Sequence, residues 1–273
     1  MPREITSAQN EKLKDFSKLY RRKYRERTGQ YIIEGIHLVE EALKNDAKPV
    51  SAFLRGDFGR CGEEKKLVKR LEETGTELFT LPAALFDRIV ATETPQGIAA
   101  VSSQPDCEVG HFFDGAAPDD NVIVLDRLQD PGNLGTIIRT ADAAGFRRIL
   151  IMKGTADIFA PKTVRAAAGS LYRVRFAYAD DPAQALELLK RHGKKTVCTS
   201  PRAETVCFGA DIAASSALII GNEARGACEA FLRESDLLVS IPMEGTVESL
   251  NASAAASILM YESVRQHLIL NKQ

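Results

Sequence analysis

Apolar positions along the first hundred residues follow two spacings, one typical of strands and one typical of helices. A polar, basic helical region between residue 5 and about residue 28 comes first, and short apolar runs then alternate with amphipathic stretches. This alternation predicts a compact α/β domain over residues 1–104. The predicted strands lie at the start of 31–45 and at 50–56, 76–82 and 96–104, and the predicted helices at the end of 31–45 and at 63–75 and 83–92.

The stretch PDCEVGHFFDGAAPDD, residues 105–120, breaks this pattern with proline, glycine and acidic residues and predicts a linker. Strands and helices then alternate again, and strand segments such as ALII and DLLVSI are nearly continuous apolar runs. Such runs are typical of buried parallel strands. Residues 121–273 are therefore predicted to form a mostly parallel sheet with helices on both faces, ending in a helix from about Ser249 to Leu268.

Composition narrows the class of protein. The 273 residues carry a net charge of −1, with 44% hydrophobic and 27% charged residues, as in ordinary globular proteins. No apolar run approaches the roughly 20 residues that span a bilayer, and the polar start is unlike a signal peptide. The odd number of cysteines, at long spacings, and four scattered histidines argue against disulfides and metal sites. We expect a cytoplasmic protein without a metal. The cysteines are Cys61, Cys107, Cys198, Cys207 and Cys228.

Positive charge is concentrated near the start of the chain, where only Asp15 and Glu26 offset a dense basic stretch. Such a stretch can contact a phosphate backbone or an acidic surface, or it can be the solvated face of a helix. The charge pattern alone leaves these alternatives open. The basic residues are Lys12, Lys14, Lys18, Arg21, Arg22, Lys23, Arg25 and Arg27.

Polar loops follow four predicted strands of the second domain. Ligands of open parallel sheets bind at the carboxyl ends of strands, so these loops could converge on one crevice. The first loop lacks both the glycine pattern of a dinucleotide fold and the lysine of a P-loop, which argues against a nucleoside triphosphate site. The loops contain RLQDPGNLGT, TSPRAET, GNEARG and PMEGTVESLNAS.

Arg139 is the first candidate for chemistry, six residues after Asn133, which is at or just before a helix start. Its apolar neighbours predict that Arg139 is half-buried, and a buried guanidinium needs a carboxylate or phosphate partner. A structural ion pair and a functional role both fit this pattern. Glu223 in GNEARG is ambiguous in the same way, because it could cap the next helix. The candidate ion-pair partners of Arg139 are Asp126, Asp130 and Asp142.

Three segments of the second domain carry polar positions that occur together in one family. They are DPGNLGTIIRTADAAG (130–145), LIIGNEARG (218–226) and IPMEGTVESLNASAAASILMYE (241–262). In order, spacing and nearly every polar position, this set resembles the signature motifs of the SpoU (TrmH) class of RNA ribose methyltransferases, in the SPOUT superfamily. The N-terminal YIIEGIHLVEEAL is also similar to the small ribosomal-protein-like RNA-binding domain often fused ahead of that catalytic domain.

The resemblance implies a fold, a cofactor and a partner. The fold is a parallel sheet whose C-terminal part is tied in a deep trefoil knot, and the partner is a second copy of the chain that completes the site in a homodimer. The cofactor is S-adenosylmethionine, bound in a bent conformation largely by main-chain groups. Transferred position by position, the cofactor contacts are Thr199, Ser200, Ile220, Gly221, Asn222, Ile241, Pro242, Met243 and Leu250.

The implied reaction transfers a methyl group from the sulfonium to a ribose 2′-hydroxyl and needs no metal. This hydroxyl is a poor nucleophile, so it needs deprotonation or stabilisation of charge as it attacks. Arg139 matches the family arginine that activates it, and because a guanidinium stays protonated in proteins we expect Arg139 to stabilise the forming alkoxide. The other matched positions, expected to orient Arg139, substrate and cofactor, are Asn133, Glu223, Ser249 and Asn251.

Some matched positions also have structural interpretations. Ser249 is expected to cap the last helix as well as to function, whereas capping explains Asn251, at the second helical position, poorly. Arg165 in KTVRAAAGS matches a family position and could contact RNA or an interface, or form a structural ion pair. The basic stretch of residues 12–27 is expected to hold structured RNA through its backbone.

Two classes of function follow from the resemblance. The first is an RNA 2′-O-methyltransferase, acting on ribosomal RNA rather than transfer RNA by analogy with the family. The second is a non-catalytic RNA-binding or ribosome-assembly protein with the same fold. A retired enzyme would tolerate loss of Arg139 or Asn251, and all five polar motif positions are present, which favours the enzyme.

Overall fold

The computed structural model describes residues 2–60 and 62–270; Met1, Cys61 and 271–273 lie outside the described residues, and so does the cysteine prediction where it concerns Cys61. Up to residue 105 the elements are β1 (Arg3–Glu4), α1 (Glu11–Lys18), α2 (Arg22–Thr28), β2 (Gln30–Glu34), α3 (Ile36–Lys44), β3 (Ser51–Arg55), α4 (Gly62–Glu73), β4 (Glu77–Leu81), α5 (Ala83–Ile89) and β5 (Ile98–Ser103). They are followed by β6 (Val122–Leu125), α6 (Pro131–Ala143), β7 (Arg148–Met152), α7 (Pro161–Ala167), β8 (Arg175–Ala179), α8 (Pro182–Arg191), β9 (Lys195–Thr199), β10 (Ser216–Ile220), α9 (Glu229–Glu234), β11 (Leu237–Val239) and α10 (Ala252–Leu270).

The chain forms two compact units. The first contains the residues up to Pro105 together with the segment 157–172, and the second contains 106–156 and the chain from Arg173 onwards. The expected domains, 1–104 and 121–273, differ from these units at two segments. One is 157–172, and the other is the expected linker.

The sheet of the first unit has the order β1-β4-β3-β5-β2, in which β5 runs antiparallel to both neighbours and the other pairs are parallel. Its core is aromatic. The ring of Phe53 lies 4.9 Å from that of Phe16 on α1 and 5.4 Å from that of Phe79 on β4. Leu13 and Phe16 are the buried residues of α1, three positions apart, so this helix places its apolar stripe on the sheet and its lysines in solvent.

The segment 157–172 completes the first unit. The ring of Phe159 lies 5.0 Å from that of Tyr31 on β2. The buried guanidinium of Arg25 donates from Nε to Asp157 at 2.8 Å and from Nη1 to the carbonyl of Leu19 at 2.7 Å. A buried charge is tolerated when it is paired and hydrogen-bonded, as here. The segment therefore supplies both apolar cover and a counter-charge.

The sheet of the second unit has the order β11-β9-β10-β6-β7-β8, and every pair is parallel. The predicted mostly parallel sheet is confirmed. All residues of β6, β7 and β10 are buried, which is why these strands are continuous apolar runs in the sequence. The trefoil knot stays a prediction.

Residues 106–120 are part of the second unit, and the expectation of a linker is wrong. Phe112 is fully buried in the core of the second sheet. Arg148 on β7 holds the segment, because its guanidinium donates to the carbonyls of Phe112 and Asp114 at 3.0 Å and pairs with Asp120 at 2.5 Å. Lys194 also holds the segment, because its ammonium group donates to the carbonyls of Pro118 and Asp120 at 2.7 Å. Proline, glycine and acidic residues here mark an ordered irregular segment.

The final helix, α10, begins at Ala252, three residues later than predicted. Ala256, Leu259 and Met260 are buried, whereas Tyr261 near the middle of the helix is about half exposed. Among the described residues, no helix combines the length and the apolar character needed to cross a membrane.

Candidate functional site

Four loops meet at one edge of the second sheet. They follow β6, β9, β10 and β11, which are neighbouring parallel strands, so the loops emerge side by side. Two hydrogen bonds directly join the loops after β6, β10 and β11. The carboxylate of Glu223 accepts the N–H of Gln129, and the amide of Asn251 donates to Asn133. The prediction that these loops converge is confirmed.

The N-terminus of α6 is built by its own sequence. Asp130 is the N-cap, and its carboxylate accepts the N–H of Asn133 at 2.7 Å. Pro131 occupies the first helical position, where the absent N–H is not needed. Asn133 is therefore the third residue of the helix, slightly further in than predicted, and its side chain lies at the open end of the helix.

Glu223 links the loop after β10 to this helix end. Its carboxylate accepts the N–H groups of Gln129 at 3.1 Å and Asp130 at 3.2 Å, and the side-chain amide of Asn133 at 3.3 Å. Burial by itself would raise the pKa of Glu223, but the N–H donors outweigh burial and hold this pKa below the usual glutamate value. Glu223 is thus a carboxylate at neutral pH, and its bonds go to the start of α6 rather than to the next helix.

Asn251 connects the third loop. Its Nδ2 donates to Oδ1 of Asn133 at 2.9 Å, while its Oδ1 accepts the N–H groups of Ser253 at 2.9 Å and Ala254 at 3.3 Å. The side chains of Glu223, Asn133 and Asn251 therefore form one continuous hydrogen-bonded chain across the loops after β10, β6 and β11. We call these three residues the polar chain.

The cap of α10 is Asn251 and not Ser249. Asn251 Oδ1 makes the bonds of an N-cap to the second and third helical N–H groups. Ser249 lies exposed in the preceding loop, and within the described part of the protein its hydroxyl has no hydrogen-bond partner. The expectations that Ser249 caps the helix and that capping explains Asn251 poorly are both wrong. Asn251 caps α10 and binds Asn133 at the same time.

Arg139 lies on the exposed face of α6, so the expectation that it is half-buried is wrong. Its neighbours Ile137 and Ile138 are fully buried, but each helical step turns the next side chain by about 100°. Among the described residues Arg139 has no ion-pair partner, so the structural ion pair is not formed. The three proposed partners act elsewhere: Asp126 pairs with Arg127, Asp130 caps α6, and Asp142 pairs with Arg173.

A second polar cluster, centred on Asp126 and Arg127, was not predicted as part of the site. Asp126 is 1% exposed and accepts the N–H of Cys228 at 2.6 Å and Nε of Arg127 at 2.8 Å. Arg127 has a left-handed backbone with φ of 58°, and its carbonyl accepts the amide of Asn222 at 2.7 Å. The cluster fixes the loop after β10. The available signal was a carboxylate directly after a buried strand.

Gly221 allows the loop after β10 to fold back on itself. A Cβ at this position would lie 2.0 Å from the backbone nitrogen of Ala227. The N–H of Asn222 donates to the carbonyl of Gly226 at 3.0 Å, and the reverse bond measures 2.9 Å. Only glycine fits this close approach of two backbones.

All nine predicted cofactor positions lie at this edge of the sheet, at the ends of β9 and β10, after β11 or before α10. Thr199 and Ser200 already form hydrogen bonds within the fold. Thr199 Oγ1 donates to the carbonyl of Ile219, and the N–H of Ser200 donates to the carbonyl of Val239. The N–H groups of Ile241 and Met243 have no hydrogen-bond partner within the described residues. Leu250, two residues before α10, presents an exposed apolar side chain. Their contact with a cofactor stays a prediction.

Arg25 was predicted to contact RNA, and the structure contradicts this. Its side chain is 4% exposed and pairs with Asp157 in the interior of the first unit. The other seven basic residues of the stretch are exposed. Four of these have local partners, since Lys12 pairs with Glu77, Lys18 with Asp15 and Arg22 with Glu26, while Arg27 lies over the ring of Tyr24.

Three basic side chains of the stretch, Lys14, Arg21 and Lys23, are exposed and form no ion pair with the described residues. Two of them, Lys14 and Arg21, line a groove of about 440 Å³ together with Lys18 and Arg88. Its apolar wall consists of Leu13, Leu85 and Ile89. We call this feature the basic groove. Arg165, the remaining predicted RNA contact, lies on α7 with its Nη1 atom 4.0 Å from the carboxylate of Glu34.

Comparison with known proteins identifies the family. The model of the SpoU rRNA methylase family matches residues 120–261. The chain belongs to the SpoU rRNA methylase family. A second model, the MRM3-like substrate binding domain, matches residues 10–100 in the first unit. The resemblance of the sequence motifs to the SpoU class is thereby confirmed. The resemblance of the first unit to a ribosomal-protein-like RNA-binding domain stays a prediction.

Relatives of this SpoU protein carry consistent names. It is 39% identical over 259 residues to the 23S rRNA (guanosine(2553)-2′-O)-methyltransferase RlmP of Bacillus subtilis, covering 95% of this chain and 98% of the relative. It is 30% identical to a 23S rRNA (uridine(2479)-2′-O)-methyltransferase of Streptomyces viridochromogenes, covering 90% of this chain and 86% of the relative.

Solved structures agree with this assignment. An AdoMet-bound rRNA methyltransferase from Sinorhizobium meliloti superposes with a TM-score of 0.86 at 29% identity, covering 97% of this chain and 98% of that chain. The SpoU methyltransferase AviRb from Streptomyces viridochromogenes, in complex with AdoMet, gives 0.85 at 28% identity, covering 95% and 99%. The fold of this SpoU protein is therefore that of S-adenosylmethionine-dependent RNA methyltransferases.

Proposed function

We propose that this SpoU protein transfers a methyl group from S-adenosylmethionine to a ribose 2′-hydroxyl of large-subunit ribosomal RNA, in the cytoplasm. The observation that carries the proposal is the polar chain of Glu223, Asn133 and Asn251, placed at the N-terminus of α6. The same helix presents Arg139, which is exposed and has no ion-pair partner in the described part of the chain. The bonds of the polar chain hold the start of the helix that carries Arg139 in a fixed position, as group transfer requires. The names of the relatives support the substrate class.

The residues at the loop edge fit S-adenosylmethionine. Free main-chain N–H groups at Ile241 and Met243 and the exposed side chain of Leu250 offer donors and apolar surface of the kind that a nucleoside needs. Glu223 and the Asp126–Arg127 cluster hold the loop after β10 rigid without using these groups. When bound, S-adenosylmethionine supplies an electrophilic methyl group.

Arg139 has the role of stabilising charge on the ribose oxygen. A guanidinium that has no internal carboxylate partner keeps its full positive charge for a ligand. Donors arranged in advance around a developing oxyanion accelerate group transfer by about 10² to 10³. The proton of the hydroxyl leaves to solvent or to the RNA phosphate, because the guanidinium itself stays protonated. The polar chain fixes the helix that carries Arg139.

The first unit holds the RNA. Its basic groove combines Lys14, Lys18, Arg21 and Arg88 with an apolar wall, a surface suited to the phosphates and sugars of folded RNA. The match of residues 10–100 to a substrate binding domain supports this role.

The functional form is a homodimer. The second unit exposes large apolar side chains on α10 and in neighbouring loops, among them Tyr261, Leu268 and Leu270 on the helix and Phe208 and Val247 in the loops. Exposed apolar side chains of this size on and near one helix support an interaction site there. A second copy of the chain would cover it.

The proposal is tested with purified protein, labelled S-adenosylmethionine and total ribosomal RNA from cells that lack the protein. We expect label in the large-subunit RNA and one mapped 2′-O-methyl site. Arg139→Ala should lower kcat about 100-fold or more while the Kd for S-adenosylmethionine stays within about twofold. Arg191→Ala is the matched control, since Arg191 is an exposed helical arginine that pairs with Glu187.

Two results would contradict the proposal in different ways. Undiminished methyl transfer by Arg139→Ala would refute the role of Arg139. The absence of label from wild-type protein with any RNA, transfer RNA included, would return the protein to the class of non-catalytic RNA-binding proteins.

A further inference from the structure

A cavity of about 320 Å³ opens in the first unit, beside the carboxyl end of β2. Apolar side chains form its floor, and a few polar side chains surround them. An apolar cavity of this size with a small number of polar groups is typical of a site for a small organic ligand. The apolar residues are Leu38, Phe86, Val90 and Ile98, and the polar residues used below are Thr94, Gln96 and Arg165.

Three polar groups around this cavity lack partners within the described residues. The Nη1 atom of Arg165 is buried and has no hydrogen-bond partner. Gln96 uses its Oε1 to accept the N–H of Ile36 at 2.8 Å, which leaves its Nε2 unused. The hydroxyl of Thr94 makes no hydrogen bond with the described residues. Of these groups, the buried Nη1 atom of Arg165 is expected to be satisfied by a ligand or by water, and the exposed groups of Thr94 and Gln96 are open to a ligand.

Glu34 forms no hydrogen bond with the guanidinium of Arg165. Its buried carboxylate already accepts hydrogen bonds from the hydroxyls of Tyr20 at 2.6 Å and Thr92 at 3.0 Å, and from the N–H of Ala91 at 3.2 Å. The separation of 4.0 Å from Arg165 is too long for a hydrogen bond, and 34% of the arginine side chain is exposed. The guanidinium therefore has free N–H groups for an anion.

We propose that this cavity binds one unstacked nucleotide of the RNA substrate. The base lies over the apolar floor, Gln96 and Thr94 hydrogen-bond its edge, and Arg165 contacts a phosphate. The ligand class follows from the combination of an apolar floor, an amide, a hydroxyl and one cation. Proteins that read RNA bind splayed bases in this manner. The inference rests on the proposed function, which supplies RNA as the ligand.

The test measures binding of full-length protein to fluorescein-labelled single-stranded RNA hexamers of each base, by anisotropy at constant salt and without cofactor. Arg165→Gln should weaken binding about tenfold for every hexamer, because it removes a phosphate contact. Thr94→Val and Gln96→Glu should weaken it about threefold and change the order of preference among the bases. Gln96→Glu keeps the acceptor for Ile36. Lys69→Gln, which removes an exposed cation elsewhere in the same unit, should bind like wild type.

Free nucleoside 5′-monophosphates distinguish the two sources of the ligand. Displacement of the hexamer by one of them at millimolar concentration shows that the cavity also accepts free nucleotides. No displacement, together with a tenfold loss in Arg165→Gln, shows that it accepts a nucleotide only within RNA. Thr94 is exposed, so Thr94→Val reports on the cavity even if Arg165→Gln disturbs the fold.

The proposal that the cavity binds a nucleotide is refuted if Arg165→Gln and Thr94→Val bind all four hexamers with wild-type affinity and preference. That result leaves the proposed function intact as long as wild-type protein methylates ribosomal RNA. Failure of wild-type protein to methylate any RNA is a separate outcome and refutes the proposed function instead.

Discussion

Asn251 shows how one side chain serves two purposes at the residue scale. Its oxygen caps α10, and its nitrogen binds Asn133. Sequence reasoning found Asn251 through the family motif but assigned the cap to Ser249, because serine and asparagine are equally good caps and lie two positions apart. The backbone conformation of the folded chain determines which of these two residues begins α10.

Replacing Asn251 separates these purposes. Asn251→Asp keeps the acceptor of the cap and removes the donor to Asn133, so we expect near wild-type thermal stability with methyl transfer lowered at least about tenfold. Asn251→Ala should lose both, with about 1 kcal/mol less stability. Melting curves and kcat measured on both variants check this. Equal activity of Asn251→Asp and wild type would contradict a role for the bond to Asn133.

Glu223 gives a prediction about pH. Its pKa is depressed in the folded protein, so its carboxylate adds stability above its unfolded pKa of about 4.3, and this contribution is lost as the pH falls through the folded pKa. The melting-temperature difference between wild type and Glu223→Gln should therefore be constant from about pH 5.5 to 7.5 and shrink below about pH 4. A difference that persisted unchanged at pH 3 would be inconsistent with an ionised Glu223.

Arg139 illustrates a limit of sequence reasoning about residues. Its apolar neighbours suggested burial, yet a helix buries one stripe, and the position of that stripe depends on where the helix packs. The available carboxylates also suggested an ion pair with Arg139. In the structure Asp126 and Asp142 pair with other arginines. The identity of the residue was predictable, but its environment was not.

At the scale of elements, the loop after β10 depends on backbone geometry as much as on side chains. Most strands and helices followed from periodicity to within a few residues, since burial on a sheet imposes it directly. The short elements β1 and α9 were not predicted. The fold of the loop after β10 did not follow from periodicity. The backbone of Ala227 lies against Gly221, but the sequence does not distinguish this glycine from any other.

Gly221→Ala tests this element. A Cβ 2.0 Å from a backbone nitrogen forces the loop 222–227 to move, so we expect a clear loss of thermal stability and at least about tenfold weaker binding of S-adenosylmethionine. Gly209→Ala is the control, because a Cβ there meets no atom within 4 Å and the backbone has no positive φ. Calorimetric titration of both variants with S-adenosylmethionine measures the change in affinity. Tight binding by Gly221→Ala would show that the loop is not part of the cofactor site.

At the scale of the whole molecule, we expect a dimer in solution. Sedimentation should give twice the mass of one chain, and Tyr261→Glu combined with Leu268→Glu should shift the protein toward monomer, because charges then replace exposed apolar side chains of α10. Val50→Glu changes an exposed apolar residue of the first unit and should leave the mass unchanged. A monomer in the wild-type protein at micromolar concentration would contradict the dimer.

The two-part organisation was predictable from the alternation of elements, but the membership of 157–172 was not. Periodicity describes local structure and contains no information on which sheet a helix such as α7 will cover. The prediction of a linker failed for the same reason. Phe112 is buried in the core of the second sheet, and its carbonyl is bound by Arg148, which lies 36 residues further along the chain.

The inclusion of 157–172 in the first unit has a consequence for synthesis on the ribosome. The chain emerges from its N-terminus, so Arg25 is made long before Asp157, its buried counter-charge, which lies 132 positions later. Until that segment emerges, β2 lacks the cover of Phe159 and the guanidinium of Arg25 lacks its carboxylate. An uncompensated buried charge costs about 3–5 kcal/mol. The first unit is therefore completed only after residues 106–156 of the second unit have been translated, although most of its own sequence comes first.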